Sequence, residues 1–68
     1  MSVYKVVELV GTSTVSWDDA AKNAMETAGK TLRDIRNAEV ARMDIKMEHG
    51  QMLFRTRLNV SFKVLIGE

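Results

Sequence analysis

Three arginines and one aspartate are the residues of this chain whose spacing could build a binding site. Arg42 and Asp44 alternate along one segment, and Arg55 and Arg57 alternate along a later one. Alternate residues of an extended strand point to the same side, and guanidinium groups bind phosphate or carboxylate groups bidentately. The cluster could hold a small anion, or it could form salt bridges between subunits, which we favour. The carboxylates that could supply such salt bridges are Glu8, Asp34 and Glu39.

Catalytic chemistry has little support in the sequence. The chain has no cysteine and a single histidine, His49. It has no nucleophile beside a base, no phosphate-binding glycine loop and no cluster of acids with metal-ligand spacing. We therefore expect a protein that is not an enzyme, with His49 solvated rather than bound to a metal.

The charge balance also excludes several partners. Ten basic and nine acidic residues are interleaved, so no basic patch favours nucleic acid or an anionic membrane surface. No stretch approaches the roughly 20 apolar residues of a membrane span, and no apolar leader is recognisable. Together with the absence of cysteine, these features predict a cytoplasmic protein.

The arginines and the aspartate lie on what the sequence predicts to be a long antiparallel hairpin. From Met52 to Ile66 every even position except Thr56 is apolar, and most odd positions are polar. This period of two is typical of a strand with one buried face, and the segment from Ala41 to Glu48 alternates in the same way. The segments meet at His49-Gly50, a pair that suits a two-residue turn with positive φ.

This turn predicts which residues face each other. On the apolar face the pairs are Met47 with Met52, Ile45 with Phe54, Met43 with Thr56 and Ala41 with Leu58. On the polar face they are Lys46 with Leu53, Asp44 with Arg55, Arg42 with Arg57 and Val40 with Asn59. A slip of one residue would turn every apolar side chain to water, so the pattern fixes the register. A pair of opposed arginines repels, and therefore requires an anion or a carboxylate from elsewhere.

A strand and a helix precede the hairpin. Val3 to Val10 is rich in β-branched residues and is predicted to be a strand that ends at Gly11-Thr12-Ser13-Thr14. Ser16 and Asp19 form a capping box, so a helix is predicted to start at Trp17. Apolar residues recur along it at helical spacing, and its end is predicted near Arg33 to Ile35.

The predicted order is therefore βαββ, an α+β fold in which a three-stranded antiparallel sheet wraps one helix, with residues 1–68 forming a single domain. A helix of about 18 residues spans roughly 27 Å, whereas strands of about 13 residues span roughly 43 Å. One helix cannot cover such an apolar face. Self-association is expected from this geometry, as is common for small domains without disulfides.

Several motifs together resemble the dodecin family, over essentially the whole chain. They are Gly11-Thr12-Ser13 after the first strand, Trp17-Asp18 at the helix start, Thr31-Leu32-Arg33 at its predicted end and Val60-Ser61-Phe62 in the last strand. The resemblance implies the same βαββ order and an assembly of twelve copies into a hollow sphere. It also implies flavins, riboflavin or FMN, bound in pairs between subunits.

The resemblance places two flavin-binding positions at Asn37 and Arg55. The family's flavin-stacking tryptophan aligns with Asn37, and the glutamine that contacts the flavin edge aligns with Arg55. Asn37 cannot stack as an indole does, and a guanidinium cannot accept hydrogen bonds. The predicted register also places Asn37 and Arg55 on opposite faces of the sheet. A shared pocket would need a bulge near Val40 or residues from different subunits.

The sequence is compatible with three functions. The first is a homododecameric store for a small ligand, with flavin binding weakened by Asn37 and Arg55. The second is an assembly that calcium stabilises through carboxylates at subunit contacts. The third is a purely structural oligomer. Trp17 could stack on a ligand, but its place on the apolar stripe of the helix favours packing beneath the sheet.

Overall fold

The computed structural model describes residues 2–65 and has the predicted βαββ order. The elements are β1 (Val3–Ser13), α1 (Trp17–Ala28), β2 (Ile35–Glu48) and β3 (Gln51–Leu65). The three strands form an antiparallel sheet in the order β1-β3-β2, so β1 and β2 are its edges. The fold class is confirmed. Ile66, the last residue of the predicted apolar alternation, lies outside the described residues.

The β2–β3 hairpin turns at His49 and Gly50, as predicted. Their φ angles are 52° and 74°, and positive φ at both central residues gives the two strands the twist that a tight hairpin needs. The predicted pairs from Met47 with Met52 back to Arg42 with Arg57 are all present. The alternation of apolar residues and the turn therefore fix the register of the part of the hairpin nearest the turn.

The register changes at a bulge between Val40 and Arg42. Val40 pairs with Leu58 rather than Asn59, and Ala41 has no partner, so the predictions for Val40 and Ala41 are wrong. The physical reason is burial: without the extra residue, Ala38 would face solvent, whereas it packs against the core in the structure. The bulge restores the apolar alternation of β2 on the helix-facing side of the sheet.

Helix α1 begins where the sequence predicts and ends earlier. Ser16 caps it, because its hydroxyl accepts a hydrogen bond from the Asp19 amide at 3.0 Å. The helix ends at Ala28 with Gly29 as its C-cap, so the end predicted near Arg33 to Ile35 is wrong. Glycine has a low helix propensity, and the following residues form a turn rather than further helix. The helix has 12 residues.

Strand β1 continues past its predicted end through Gly11 and Thr12 to Ser13. Gly11 is buried against the helix, and a Cβ on it would lie 2.0 Å from the Ala20 carbonyl oxygen. The absence of a side chain therefore lets α1 lie close to β1. Ser13 then joins the two elements, since its hydroxyl lies 2.6 Å from the Asp19 carboxylate.

The core is small for the length of the sheet. Its buried apolar residues among those described are Ala20, Ala24, Ala28, Leu58 and Val60. Beyond the start of the helix, the helix-facing side of the hairpin carries apolar side chains that are 43% to 63% exposed. We call these residues the apolar arm: Met43, Ile45, Met47 and Met52.

Candidate functional site

The predicted cluster of charges lies on the face of the sheet opposite the helix, which we call the outer face. β2 and β3 place Asp44 opposite Arg55, and Arg42 opposite Arg57. Residues opposed across two strands point to the same side, so all four side chains project from this face. The sequence prediction of this cluster is confirmed as a spatial arrangement.

Asp44 and Arg55 form a bidentate ion pair. The Arg55 Nε and Nη2 atoms donate to the Asp44 Oδ1 and Oδ2 atoms at 2.6 and 2.7 Å. These hydrogen bonds hold the pKa of Asp44 below its ordinary value; partial burial opposes the shift, and the nearby arginine charges add to it. The same contact raises the pKa of Arg55. The donors of Arg55 that face β2 are thus already engaged.

Arg42 and Arg57 have no such partner among the residues that the structure describes. The two ion pairs found within residues 2–65 are Lys46 with Glu48 and Asp44 with Arg55. The Arg57 Nε atom is buried without a hydrogen bond from residues 2–65, beside a cavity of about 10 Å³ that Val10 helps to line. This volume suits at most one water, so an anion or a carboxylate would have to bind above the sheet.

Asn37, the position expected to stack on flavin, lies exposed on β2 opposite Ser61. The unbulged register, which placed Asn37 and Arg55 on opposite faces, is wrong. The bulge near Val40 that a shared face would need is present, and it turns Asn37 to the outer face. Ser61 and Arg55 are nevertheless six positions apart on β3, which corresponds to roughly 20 Å. One chain does not bring the two flavin positions together.

Trp17 packs against the hairpin on the helix side of the sheet, as the sequence favours. Its indole Nε1 atom donates to the Asp44 carbonyl oxygen at 3.0 Å, and its ring meets the Phe54 ring edge-on at 5.1 Å and 80°. The Thr56 hydroxyl donates to the Trp17 carbonyl oxygen at 2.9 Å. This last contact explains why a threonine interrupts the apolar alternation of β3, and it could not be predicted from the sequence.

His49 lies in the exposed hairpin turn. Within residues 2–65 no group of three or more His, Cys, Asp or Glu side chains is arranged to hold a metal ion. A calcium site would therefore have to combine oxygen ligands from more than one copy of the chain.

One concavity of the described chain was not predicted from the sequence. It is a groove of about 500 Å³ along the free edge of β1, between this strand and α1. We call it the edge groove. Its more buried lining residues include Val7, Leu9, Ala24, Ala28 and Leu32. Its exposed lining residues include Thr12, Asn23, Thr27 and Thr31. None of its lining residues is charged.

The βαββ order, the strand order β1-β3-β2 and the capped helix place this chain in a class of small α+β proteins. The dodecin family model matches residues 3–65 of this chain. The calcium dodecin of Mycobacterium tuberculosis is 43% identical over 65 residues, which cover 94% of this chain and 92% of that protein. The chain therefore belongs to the dodecin family.

Solved structures agree with this assignment. The crystal structure of the Mycobacterium tuberculosis calcium dodecin superposes with a TM-score of 0.85 at 40% identity. The match covers 98% of this chain and 97% of that chain, which is described as having a novel calcium-binding site. A dodecin from Streptomyces coelicolor superposes with a TM-score of 0.86 at 33% identity, covering 97% and 96%. None of the helices in the described part of the chain is long and apolar enough to cross a membrane.

Proposed function

We propose that this chain is the non-enzymatic subunit of a closed homo-oligomer of twelve copies, each a single domain, located in the cytoplasm. The observation that carries this proposal is the exposure of the apolar arm, where Met43 is 56% and Met47 63% exposed in one copy. An apolar strip of this kind on a small protein is typical of a protein interaction surface. Membership of the dodecin family supports a second copy of the same chain as the partner.

The lengths of the elements support the same conclusion. The 12-residue helix spans roughly 18 Å, whereas β2 and β3, with 14 and 15 residues, span roughly 46 to 50 Å. The described chain is 53 Å long and only 20 Å and 15 Å in its other dimensions. One helix therefore covers less than half of the sheet, and both sheet edges can pair or dock with other copies.

We further propose that the assembly binds a small ligand other than flavin, or binds flavin only weakly. Asn37 offers no aromatic surface for an isoalloxazine ring. Arg55 is held by Asp44 through two short hydrogen bonds, so a ligand that used Arg55 would compete with that ion pair. Arg42 and Arg57 supply positive charge nearby, which favours an anionic ligand or a carboxylate of another copy.

Calcium is the second candidate ligand. It is favoured by the 43% identity to a protein named calcium dodecin. Since residues 2–65 of one copy bring no three potential ligands together, the ion would lie at a subunit contact and receive carboxylate oxygens from several copies. Chelation would then loosen the assembly without unfolding its subunits.

Native mass spectrometry of the protein purified without added ligand tests these proposals. We expect a twelve-subunit mass, together with the mass of any retained small molecule. The measurement is repeated with calcium and with a chelator; a loss of subunits on chelation would support the calcium proposal, and an unchanged mass would contradict it. A monodisperse monomer in sedimentation at micromolar concentration would overturn the proposal of self-assembly.

A further inference from the structure

We infer that the apolar arm of one copy docks head to tail into the edge groove of a second copy, an inference that rests on the self-association proposed above. The arm exposes four apolar side chains, and the groove is lined by uncharged residues, several of them apolar. Each copy has one of each: the groove lies along the edge strand β1, and three of the four arm residues lie on the opposite edge strand β2.

The arm is an extended apolar surface whose four side chains remain 43% to 63% exposed in one copy. Trp17, the first residue of α1, is the helix residue nearest to the arm, and its ring contacts Phe54. Farther toward the turn, Met47 and Met52 are 63% and 44% exposed. Methionine side chains are flexible and polarisable, so they adapt to an irregular apolar surface.

The edge groove matches the arm in chemistry and in length. None of its lining residues is charged, and the arm carries no charged residue on its apolar face. From Met43 to Met47 the arm spans roughly 13 Å, and from Val7 to Thr12 the strand that borders the groove spans roughly 17 Å. The three arm residues of β2 therefore fit along the groove.

The topology excludes docking within one chain. In the sheet order β1-β3-β2, strand β3 separates the groove at β1 from the arm residues of β2. If β2 of one copy lies beside β1 of the next, its helix-facing side chains come next to the α1 side chains that line the groove, such as Thr27. A head-to-tail contact of this kind generates a closed ring when its rotation closes.

Two single variants test the inference, one on each surface. Met47→Asp places a charge on the arm, and Thr27→Trp fills the groove; both residues are exposed in one copy, so the subunit fold should persist. The matched controls are His49→Asp, which adds the same charge at the turn, and Lys22→Trp, which adds the same ring on α1 outside the groove. We expect a lower sedimentation coefficient for both test variants and the wild-type value for both controls.

Mixing the two test variants distinguishes a head-to-tail contact from other contacts. The Thr27→Trp copy keeps an intact arm and the Met47→Asp copy keeps an intact groove. Their mixture should form a species of equal composition that is larger than either variant alone, identified by native mass spectrometry with one variant labelled with ¹⁵N. Circular dichroism checks the fold, and Met47→Ser with Thr27→Tyr replaces any variant that unfolds.

The outcomes separate this inference from the proposed function. If the wild-type protein is a monomer, self-association itself fails. If the wild-type protein is an oligomer but Thr27→Trp assembles normally, or the mixture gives no larger species, the docking of arm into groove is wrong while the oligomer stands. A small molecule retained by the wild-type protein and lost in an otherwise intact Thr27→Trp assembly would also overturn it, because the groove would then be a ligand site.

Discussion

Replacing Gly11 by alanine should destabilise the subunit far more than a single methyl group normally does. A Cβ at this position would lie 2.0 Å from the Ala20 carbonyl oxygen and 2.9 Å from the Ala24 Cβ atom. The nearest atom belongs to the helix backbone, so no side-chain rotation relieves the contact. The helix must move away from β1, which opens the core that Ala24 forms with Leu58 and Val60.

The magnitude follows from the cost of overpacking. Inserting a methylene-sized group into a packed core costs typically about 1 to 3 kcal/mol and occasionally more. Because the contact is with backbone, we expect the upper end, about 3 kcal/mol. For a domain of this size, 1 kcal/mol shifts the melting temperature by about 4 to 8 °C. Gly11→Ala should therefore melt about 12 to 24 °C lower in thermal denaturation, compared at equal protein concentration because oligomers melt in a concentration-dependent way.

Gly29→Ala is the matched control. Gly29 has φ of −64° and ψ of −16°, and the nearest atom to an added Cβ is 3.4 Å away. Alanine loses less backbone entropy than glycine in such a helical conformation, so this variant should be more stable by about 0.4 to 1 kcal/mol. A Gly11→Ala protein that melts within about 4 °C of the wild type would refute the close approach of α1 and β1.

Three further predictions concern the hairpin. Trp17→Phe removes the indole hydrogen bond to the Asp44 carbonyl and should cost about 1 kcal/mol in urea denaturation; an unchanged midpoint would contradict this anchoring role. Because the folded-state pKa of Asp44 is lowered, the ion pair contributes stability above about pH 4 and loses it as the pH falls through that pKa. The wild type should therefore exceed Asp44→Asn in stability at neutral pH, with the difference shrinking in acid. Asn37→Trp combined with Arg55→Gln should strengthen riboflavin binding, seen as fluorescence quenching, by about tenfold or more, since stacking contributes about 1 to 3 kcal/mol; sub-micromolar binding by the unmodified protein would contradict the weakening proposed here.

The hairpin shows how much of this fold the sequence predicts. Alternating apolar residues from Met43 to Met47, together with the His49-Gly50 turn, specify the strand pairs that the structure contains. The prediction of these pairs is correct because a one-residue slip would expose a whole apolar face. The prediction of the helix start is correct for a similar local reason, because the Ser16 cap depends on residues within one turn of it.

The errors come from features that depend on tertiary contacts. The bulge at Ala41 is selected by packing of Ala38 against the core, and neither the turn nor the alternation near it signals an extra residue. The early end of α1 coincides with Gly29, which has a weak helix propensity and forms the C-cap. The edge groove is lined by residues of both β1 and α1, including Gly11 at their close approach, so it too depends on tertiary packing. Of the candidate site, the Asp44 and Arg55 pair is predictable from the register, whereas its bidentate geometry is not.

The bulge also connects the fold to the candidate site. Without it, Glu39 would point toward α1 and Val40 toward solvent, so the charged face of the sheet would end at Arg42. With the bulge, Asn37 and Glu39 join Arg42 and Arg55 on a continuous outer face, while Ala38 and Val40 lie on the helix-facing side. A single inserted residue thus keeps Ala38 and Val40 on the helix-facing side of the sheet while Glu39, Arg42 and Asp44 share its outer face.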